Sequence, residues 1–267
     1  MAAMRVATWN VNSVKQRIPR LLPWLDERRP DVVCLQETKL TDRAFMDALG
    51  AALSGRGYEI AHHGEAQWNG VAILSKAGLD DVEVGIPGGP GFPHQEARVI
   101  GATCGGVRVY SVYVPNGRVP DSEHYQYKLA WLARLRGHLE ASMTADQPLI
   151  VAGDFNIAPT DIDVYDPSKF LDTTHTSPPE RAALAAVEAL GLEDVFRRHY
   201  DAGSCFSWWD YRAGDFHEGR GMRIDLVLAT AAVADASRWC VIDRNARKGK
   251  QPSDHAPVVV DLDWPPA

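Results

Sequence analysis

The chain has 267 residues, 45% of them hydrophobic, with a formal charge of −7 and four cysteines. That is enough to bury a large core in one domain, and no Ser/Gly-rich linker, charge block or composition shift marks a boundary. The acidic balance weighs against a partner held by surplus Lys and Arg, but not against a site that gathers cations with carboxylates and holds nucleic acid with local basic groups.

Cys34, Cys104, Cys205 and Cys240 stand far apart, without the CxxC spacing of a zinc site or redox pair, which points to a reduced, cytoplasmic compartment. The start, "MAAMRVATWNVNS", enters an apolar alternation at once, with Met1 to Ala3 as a short extension. It has neither a basic leader region nor an apolar stretch long enough to span a membrane.

In chain order, "RVATWNV", "DVVCLQE", "YEIAHH", "GVAILS", "ARVIGATC", "VRVYSVYVP", "PLIVAGDFN", "CFSWW", "RIDLVLAT", "WCVID" and "APVVVDLD" read as strands. Helices are expected over Gln16 to Glu27, His124 to Met143 and Glu180 to Leu190, the first disturbed by Pro19 and Pro23. Gly105 and Gly106 mark a hairpin turn. Many adjacent strands with few intervening helices favour two packed sheets flanked by helices over a doubly wound parallel sheet.

The strands share a habit of ending in polar groups: Asn10 and Asn12, Glu37, Tyr113 and Asn116, Asp154 and Asn156. Asp225 lies inside an apolar run, and Ser253, Asp254 and His255 precede the last strand. Singly, each has a plain explanation: Glu37 as a strand-terminating carboxylate, Asp154 with Asn156 as a turn. Asp225 is harder to place, because an unpaired buried carboxylate costs several kcal/mol, so it needs a partner, and His255 is the natural one. Hard oxygen ligands without clustered His or Cys favour magnesium, with manganese as substitute, over zinc. GxxxxGK[ST], GxSxG and GxGxxG are all absent, which leaves metal-assisted attack of water on a phosphodiester.

The motifs "TWNVNS", "LQETK", "NGVAILSK", "YVPNG", "GDFNIAPTDIDV", "FSWWDYR", "GMRIDLVLA" and "PSDHAPV" span nearly the whole chain. In that order they resemble the exonuclease III type of abasic endonucleases, within the endonuclease/exonuclease/phosphatase superfamily. The resemblance implies a four-layer α/β sandwich, two mostly antiparallel sheets face to face with helices outside. It implies Glu37 as principal metal ligand, Asn10 in the metal and water network, and Asp254 at a second or alternative metal position. Asp154 and Asn156 would orient water and phosphate, Tyr113 would face the phosphate or leaving group, and Asp225 would hold His255. Asp154 and His255 both qualify to take the water proton, and pKa and geometry decide between them.

The same resemblance makes "SCFSWWDYR" the lining of a pocket for an extruded abasic sugar. Period-two alternation puts Phe206 and Trp208 on one face and Trp209 on the other, with Trp208 favoured in the pocket. Arg220, Met222 and Arg223 would lie in a DNA-facing loop, Asn12 and Asn116 beside the substrate, and Arg98, Arg118 and Lys128 as weaker phosphate contacts. Ser13 replaces the Gly of many relatives, and the Pro/Gly-rich segment 85–95 bears on DNA preference. The implied protein is a monomer that incises duplex DNA 5′ to abasic sites, leaves a 3′-hydroxyl and clears blocked 3′ ends. A superfamily phosphodiesterase acting on RNA or a phospholipid or inositol phosphate headgroup, and a non-catalytic DNA-binding scaffold, are the alternatives.

Overall fold

The computed structural model describes residues 3–89, 91, 95–144 and 147–265. Met1 and Ala2 of the short extension, and residues 90 and 92–94 of the Pro/Gly-rich segment, lie outside the described residues. In chain order the strands are β1 (Met4–Asn10), β2 (Val32–Gln36), β3 (Glu59–Glu65), β4 (Trp68–Ser75), β5 (Asp80–Val84), β6 (Val99–Cys104) and β7 (Val107–Tyr113). There follow β8 (Leu149–Asp154), β9 (Leu192–Asp194), β10 (Trp208–Trp209), β11 (Gly221–Met222), β12 (Asp225–Thr230), β13 (Ser237–Ile242) and β14 (Val258–Leu262). They form two six-stranded sheets, ordered β13-β14-β1-β2-β4-β3 and β5-β6-β7-β8-β12-β9, with β10 and β11 as a short ribbon. β1 with β2 and β7 with β8 run parallel, and the other neighbours are antiparallel.

Alternation along each strand divides its side chains between two apolar layers. Val6, Cys34, Ile73, Val109, Ile150, Val227 and Val260 fill the space between the sheets. Ala7, Trp9, Val33 and Leu35 face outward, under Val14, Leu21 and Leu25 of the helix Val14–Arg28. Val151, Leu226 and Leu228 face outward on the other sheet, under Trp131, Leu132, Leu135, Leu184 and Val187 of the helices Glu123–Ser142 and Pro178–Glu188. The order helix, sheet, sheet, helix is the four-layer sandwich the motifs imply.

Several local expectations need correction. The first helix runs unbroken through Pro19 and Pro23. Both prolines are exposed, so the carbonyls left without an N–H partner face water. A helical stretch over residues 42–54, unexpected from sequence, adds Phe45, Leu49 and Leu53 to the outer layer at helical spacing. β5 escaped notice because it is a polar, exposed edge strand. "CFSWW" contributes only Trp208 and Trp209 to a ladder, against Met222 and Gly221. Gly105 and Gly106 take positive φ, 56° and 80°, as the hairpin requires.

Candidate active site

The inter-sheet layer turns polar at one end, and strand register explains why. On β1 the inward residues are Met4, Val6, Thr8 and Asn10; on β8, Ile150, Ala152 and Asp154; on β12, Ala229, Val227 and Asp225. Register pairs Asn10 with Gln36, Tyr113 with Asp154, and Asp225 with Asp154, so these residues share one edge of the sandwich. β14 pairs antiparallel with β1, which returns Asp254 and His255 to the same edge. Gln36 donates to Thr8 Oγ1 (3.0 Å) and Ser111 Oγ (3.1 Å), tying the two sheets together just below it.

Glycines permit the close approaches this needs. A Cβ on Gly153 would lie 1.9 Å from the Val112 carbonyl oxygen, so only glycine allows β7 and β8 to meet immediately before Asp154. Glu37 (φ 51°), Asn156 (φ 50°) and Asn12 (φ 29°) occupy left-handed backbone conformations, a strain that the surrounding structure must hold.

Asn10 Nδ2 donates to Glu37 Oε1 at 2.8 Å and Asp154 Oδ2 at 2.9 Å. Its Oδ1 is buried without a protein partner. Ligand atoms of Glu37, Asp154 and His255 lie within 4.8 Å of one another. Two carboxylates and an unpartnered amide oxygen suit a hard divalent cation, and the residues present fit one. Asp254 is placed differently: its Oδ1 accepts from Asn12 (3.0 Å) and its Oδ2 from Trp208 Nε1 (3.2 Å). Among the described residues it is outside the group that can converge on one ion.

His255 Nδ1 meets Asp225 Oδ2 at 2.8 Å, and its Nε2 lies 3.7 Å from Asp154 Oδ2. Ser207 Oγ donates to the same Asp225 oxygen (2.6 Å) and accepts the backbone N–H of Ile224 and Asp225. Burial works against charge on the imidazole, but Asp225 and Asp154 outweigh it and raise His255 to about 10. Burial, with Asp225 and Glu37 nearby, pushes Asp154 up to about 7 against the opposing charge of His255. At neutral pH the imidazolium therefore keeps its proton, and Asp154 is the group poised to accept one. Tyr113 is pushed well above its ordinary value by burial first and by Glu37, so it remains a phenol.

Asn156 is held on every side. Its N–H donates to Asp154 Oδ1 (2.9 Å), its Nδ2 to Val114 O (3.0 Å) and Asp154 Oδ2 (3.2 Å), and its Oδ1 accepts from Asn116 Nδ2 (3.2 Å). His175 Nε2 meets the same Oδ1 at 3.1 Å. Burial drives His175 down to about 3, so it is neutral and acts here as an N–H donor. Sequence reasoning missed His175, because "TTHTSPP" carries neither strand nor helix periodicity. It also missed Lys39, whose Nζ contacts Glu37 Oε2 at 2.7 Å and Asn12 Oδ1 at 2.6 Å; its place in "LQETK", two residues after Glu37, was the available signal.

Most of the basic substrate contacts expected from sequence are spent inside the fold. Arg223 is fully buried, paired with Asp163 (2.6 Å) and Asp194 (2.7 Å), and faces no solvent. Arg220 is tied to Asp215 (2.8 Å) within its own loop. Arg98 is bonded to Glu96 (2.6 Å) and stacks 4.7 Å over the Tyr113 ring, so it supports Tyr113 from behind. Lys128 is wholly buried against Glu180, while Arg118 remains exposed. Phe206 packs with Trp209 and Ala256, opposite to the expected alternation. Met222 is buried too, and with Ile224, Val164 and Trp208 it forms an apolar cluster reaching Asp254 through the Trp208 indole.

The Endonuclease/Exonuclease/phosphatase family model matches residues 7–255. The chain is 32% identical to Exodeoxyribonuclease III of Haemophilus influenzae, over 96% of this chain and 98% of that one. Among solved structures it is similar to the Neisseria 3′ phosphatase NExo bound to a product DNA hairpin (TM-score 0.93, 40% identity, 98% of this chain and 100% of that one). It is likewise similar to an AP endonuclease from Archaeoglobus fulgidus (TM-score 0.92, 37% identity, 97% and 99%).

Proposed function

The chain belongs to the endonuclease/exonuclease/phosphatase family, and from that membership and the geometry of the edge site we propose a DNA repair phosphodiesterase dependent on a divalent metal. The substrates are duplex DNA with abasic sites, cut on the 5′ side to leave a 3′-hydroxyl, and blocked or recessed 3′ ends. The observation that carries this reading is the convergence of Glu37, Asp154 and the unpartnered Asn10 Oδ1 beside the Asp225–His255 pair. The DNA-acting relatives favour DNA over the RNA and headgroup alternatives, and the full set of polar site groups favours an enzyme over a scaffold.

Glu37 and Asn10, with Asp154, would hold magnesium, or manganese in its place, which supplies Lewis-acid stabilisation of charge on phosphoryl oxygens. Asp154, oriented by Asn10 and by the N–H of Asn156, takes the proton of the attacking water. Imidazolium His255, fixed by Asp225, donates to the phosphoryl group as negative charge develops, and the Tyr113 hydroxyl faces the same oxygens or the leaving group. Trp208, Met222 and Ile224 supply an apolar wall for a deoxyribose without its base.

DNA would be gripped at the rim, by exposed Trp68 on the β3–β4 hairpin, Arg118 after Asn116, and Tyr211 with Arg212, whose bond to Asp210 (2.7 Å) lies at the surface. Local cations there meet the phosphates despite the overall charge of −7. No helix among the described residues is long and apolar enough to cross a membrane. We place the enzyme in the cytoplasm, acting as a monomer.

The test is a panel of three labelled duplexes, carrying an abasic-site analogue, a 3′-phosphate at a nick and a recessed 3′ end, with magnesium or EDTA. Magnesium-dependent turnover of at least one, lost in EDTA and in Asp154→Asn, supports the proposal. Gel-shift binding without turnover in any divalent metal supports the scaffold, and action on RNA or headgroup esters alone supports the other enzyme reading.

A further inference from the structure

Lys128 projects from the helix Glu123–Ser142 into the interior, where both its side chain and that of Glu180 are completely inaccessible. Its ammonium has three partners on three different segments. It donates to the carbonyl of Asn156 at 2.7 Å, the carbonyl of Asn116 at 3.2 Å, and Glu180 Oε1. Glu180 Oε1 in turn accepts the backbone N–H of His175 at 3.0 Å and lies 2.8 Å from Thr174 Oγ1. The Thr174 hydroxyl is also 2.9 Å from the Asn116 carbonyl. Glu180 Oε2 accepts from Ser177 Oγ (2.6 Å) and from the Ser177 backbone N–H (3.2 Å), the latter closing the capping box of the helix Pro178–Glu188.

A buried ion pair is a poor way to gain stability, since well-packed apolar residues of similar volume often serve as well or better. What the ammonium supplies is three donors aimed in fixed directions. The three backbones it ties, directly or through Glu180, belong to Asn116, Asn156 and His175. Their side chains converge a second time, at Asn156 Oδ1, with 3.2 Å to Asn116 Nδ2 and 3.1 Å to His175 Nε2. The same three residues are thus clamped at main chain and side chain, and the outcome is one orientation of Asn156 against Asp154.

Building on the phosphodiesterase reading, we propose that Lys128 and Glu180 are positioning residues that set the Asn116–Asn156–His175 loops relative to Asp154. They touch neither substrate nor metal. Replacing the pair leaves Glu37 and Asn10, two of the three groups that would hold the metal, undisturbed on the opposite sheet and lets the amides drift, and a drift of about 1 Å can cost on the order of 100-fold in rate.

The test is the double variant Lys128→Met with Glu180→Gln, which removes the charges together and keeps an oxygen for Thr174 and His175. With folding checked by thermal melting, kcat on the best wild-type DNA substrate should fall about tenfold or more, while KM and manganese affinity by EPR titration stay within about threefold. A folded double variant with wild-type kcat overturns the proposal. If the double variant does not fold, Thr174→Val decides: an unchanged melting temperature with kcat reduced about threefold or more supports the clamp, and unchanged kcat overturns it. A wild type inactive on every DNA substrate would overturn the functional reading itself, and the clamp with it.

Discussion

The imidazole of His255 is bonded to Asp225 through Nδ1 at 2.8 Å, deep at the edge of the sandwich, while its other nitrogen faces Asp154 across 3.7 Å. One ring between two buried carboxylates is strongly held as the cation. On the proposed mechanism Asp225 acts on the reaction through His255, and the two should behave as one unit.

Asp225→Ala and His255→Ala are each expected to lower kcat by about 100-fold or more, and the double variant to lose little beyond either single change. A double-mutant cycle on kcat checks this. Losses that multiply would show that the pair is uncoupled in catalysis.

The rate should depend on pH with two limbs. Asp154, raised to about 7, must be deprotonated, and His255, raised to about 10, must be protonated, so log kcat climbs, levels and falls. Bound magnesium favours the Asp154 carboxylate and moves the rising limb below 7. Lowering the magnesium concentration, which empties the site without changing any charge of the protein, is expected to move that limb back up; a limb that does not respond to metal occupancy assigns the base elsewhere.

Metal-free stability follows from the same groups with a definite sign. Asp154 in the fold keeps a proton up to about 7 that the unfolded chain loses near 3.8, so its contribution declines as pH rises across that window. His255 contributes fully below its ordinary 6.5 and loses that contribution as pH climbs through about 10. Asp154→Asn should consequently melt higher than wild type in EDTA at pH 8, with the advantage shrinking towards pH 4. Equal melting curves at pH 8 would contradict the burial cost assigned to this carboxylate.

Arg223 supports the fold and does not contact DNA. Cutting it to Ala takes the partner from Asp194 Oδ2 and leaves Asp163 to Arg197 and Thr160, at a cost of about 3 kcal/mol, or roughly 2–4 °C of melting temperature per kcal/mol. KM for DNA, measured where the variant is folded, should not change. A large rise in KM with normal melting would restore the DNA-facing role.

Trp68 is 71% exposed on a hairpin whose backbone is bonded to Lys39 beside the site. Trp68→Ala should raise KM for duplex DNA several-fold and leave kcat and melting unchanged, since stacking on nucleic acid is worth about 1–3 kcal/mol per aromatic contact. Fluorescence anisotropy with catalytically dead Asp154→Asn enzyme measures the binding loss directly.

Sequence by itself determined most of the strands, the two-sheet class and most of the polar groups that meet at the edge of the sandwich. Alternation and strand-end polarity are local properties, and Asn10, Glu37, Tyr113, Asp154 and Asp225 each announce themselves against an apolar run. It also supplied the Asp225–His255 pairing, because a carboxylate in a core strand has few ways to be satisfied. Tertiary structure alone decided which charges are spent inside. Arg223, Arg98 and Lys128 are indistinguishable in sequence from solvated bases, since their partners Asp194, Glu96 and Glu180 are brought to them only when the layers pack. His175 reaches Asn156 for the same reason, from a segment with no periodicity to read. The pKa order of Asp154 and His255 likewise belongs to the fold, because burial and the spacing of three charges set it, and neither exists along an extended chain.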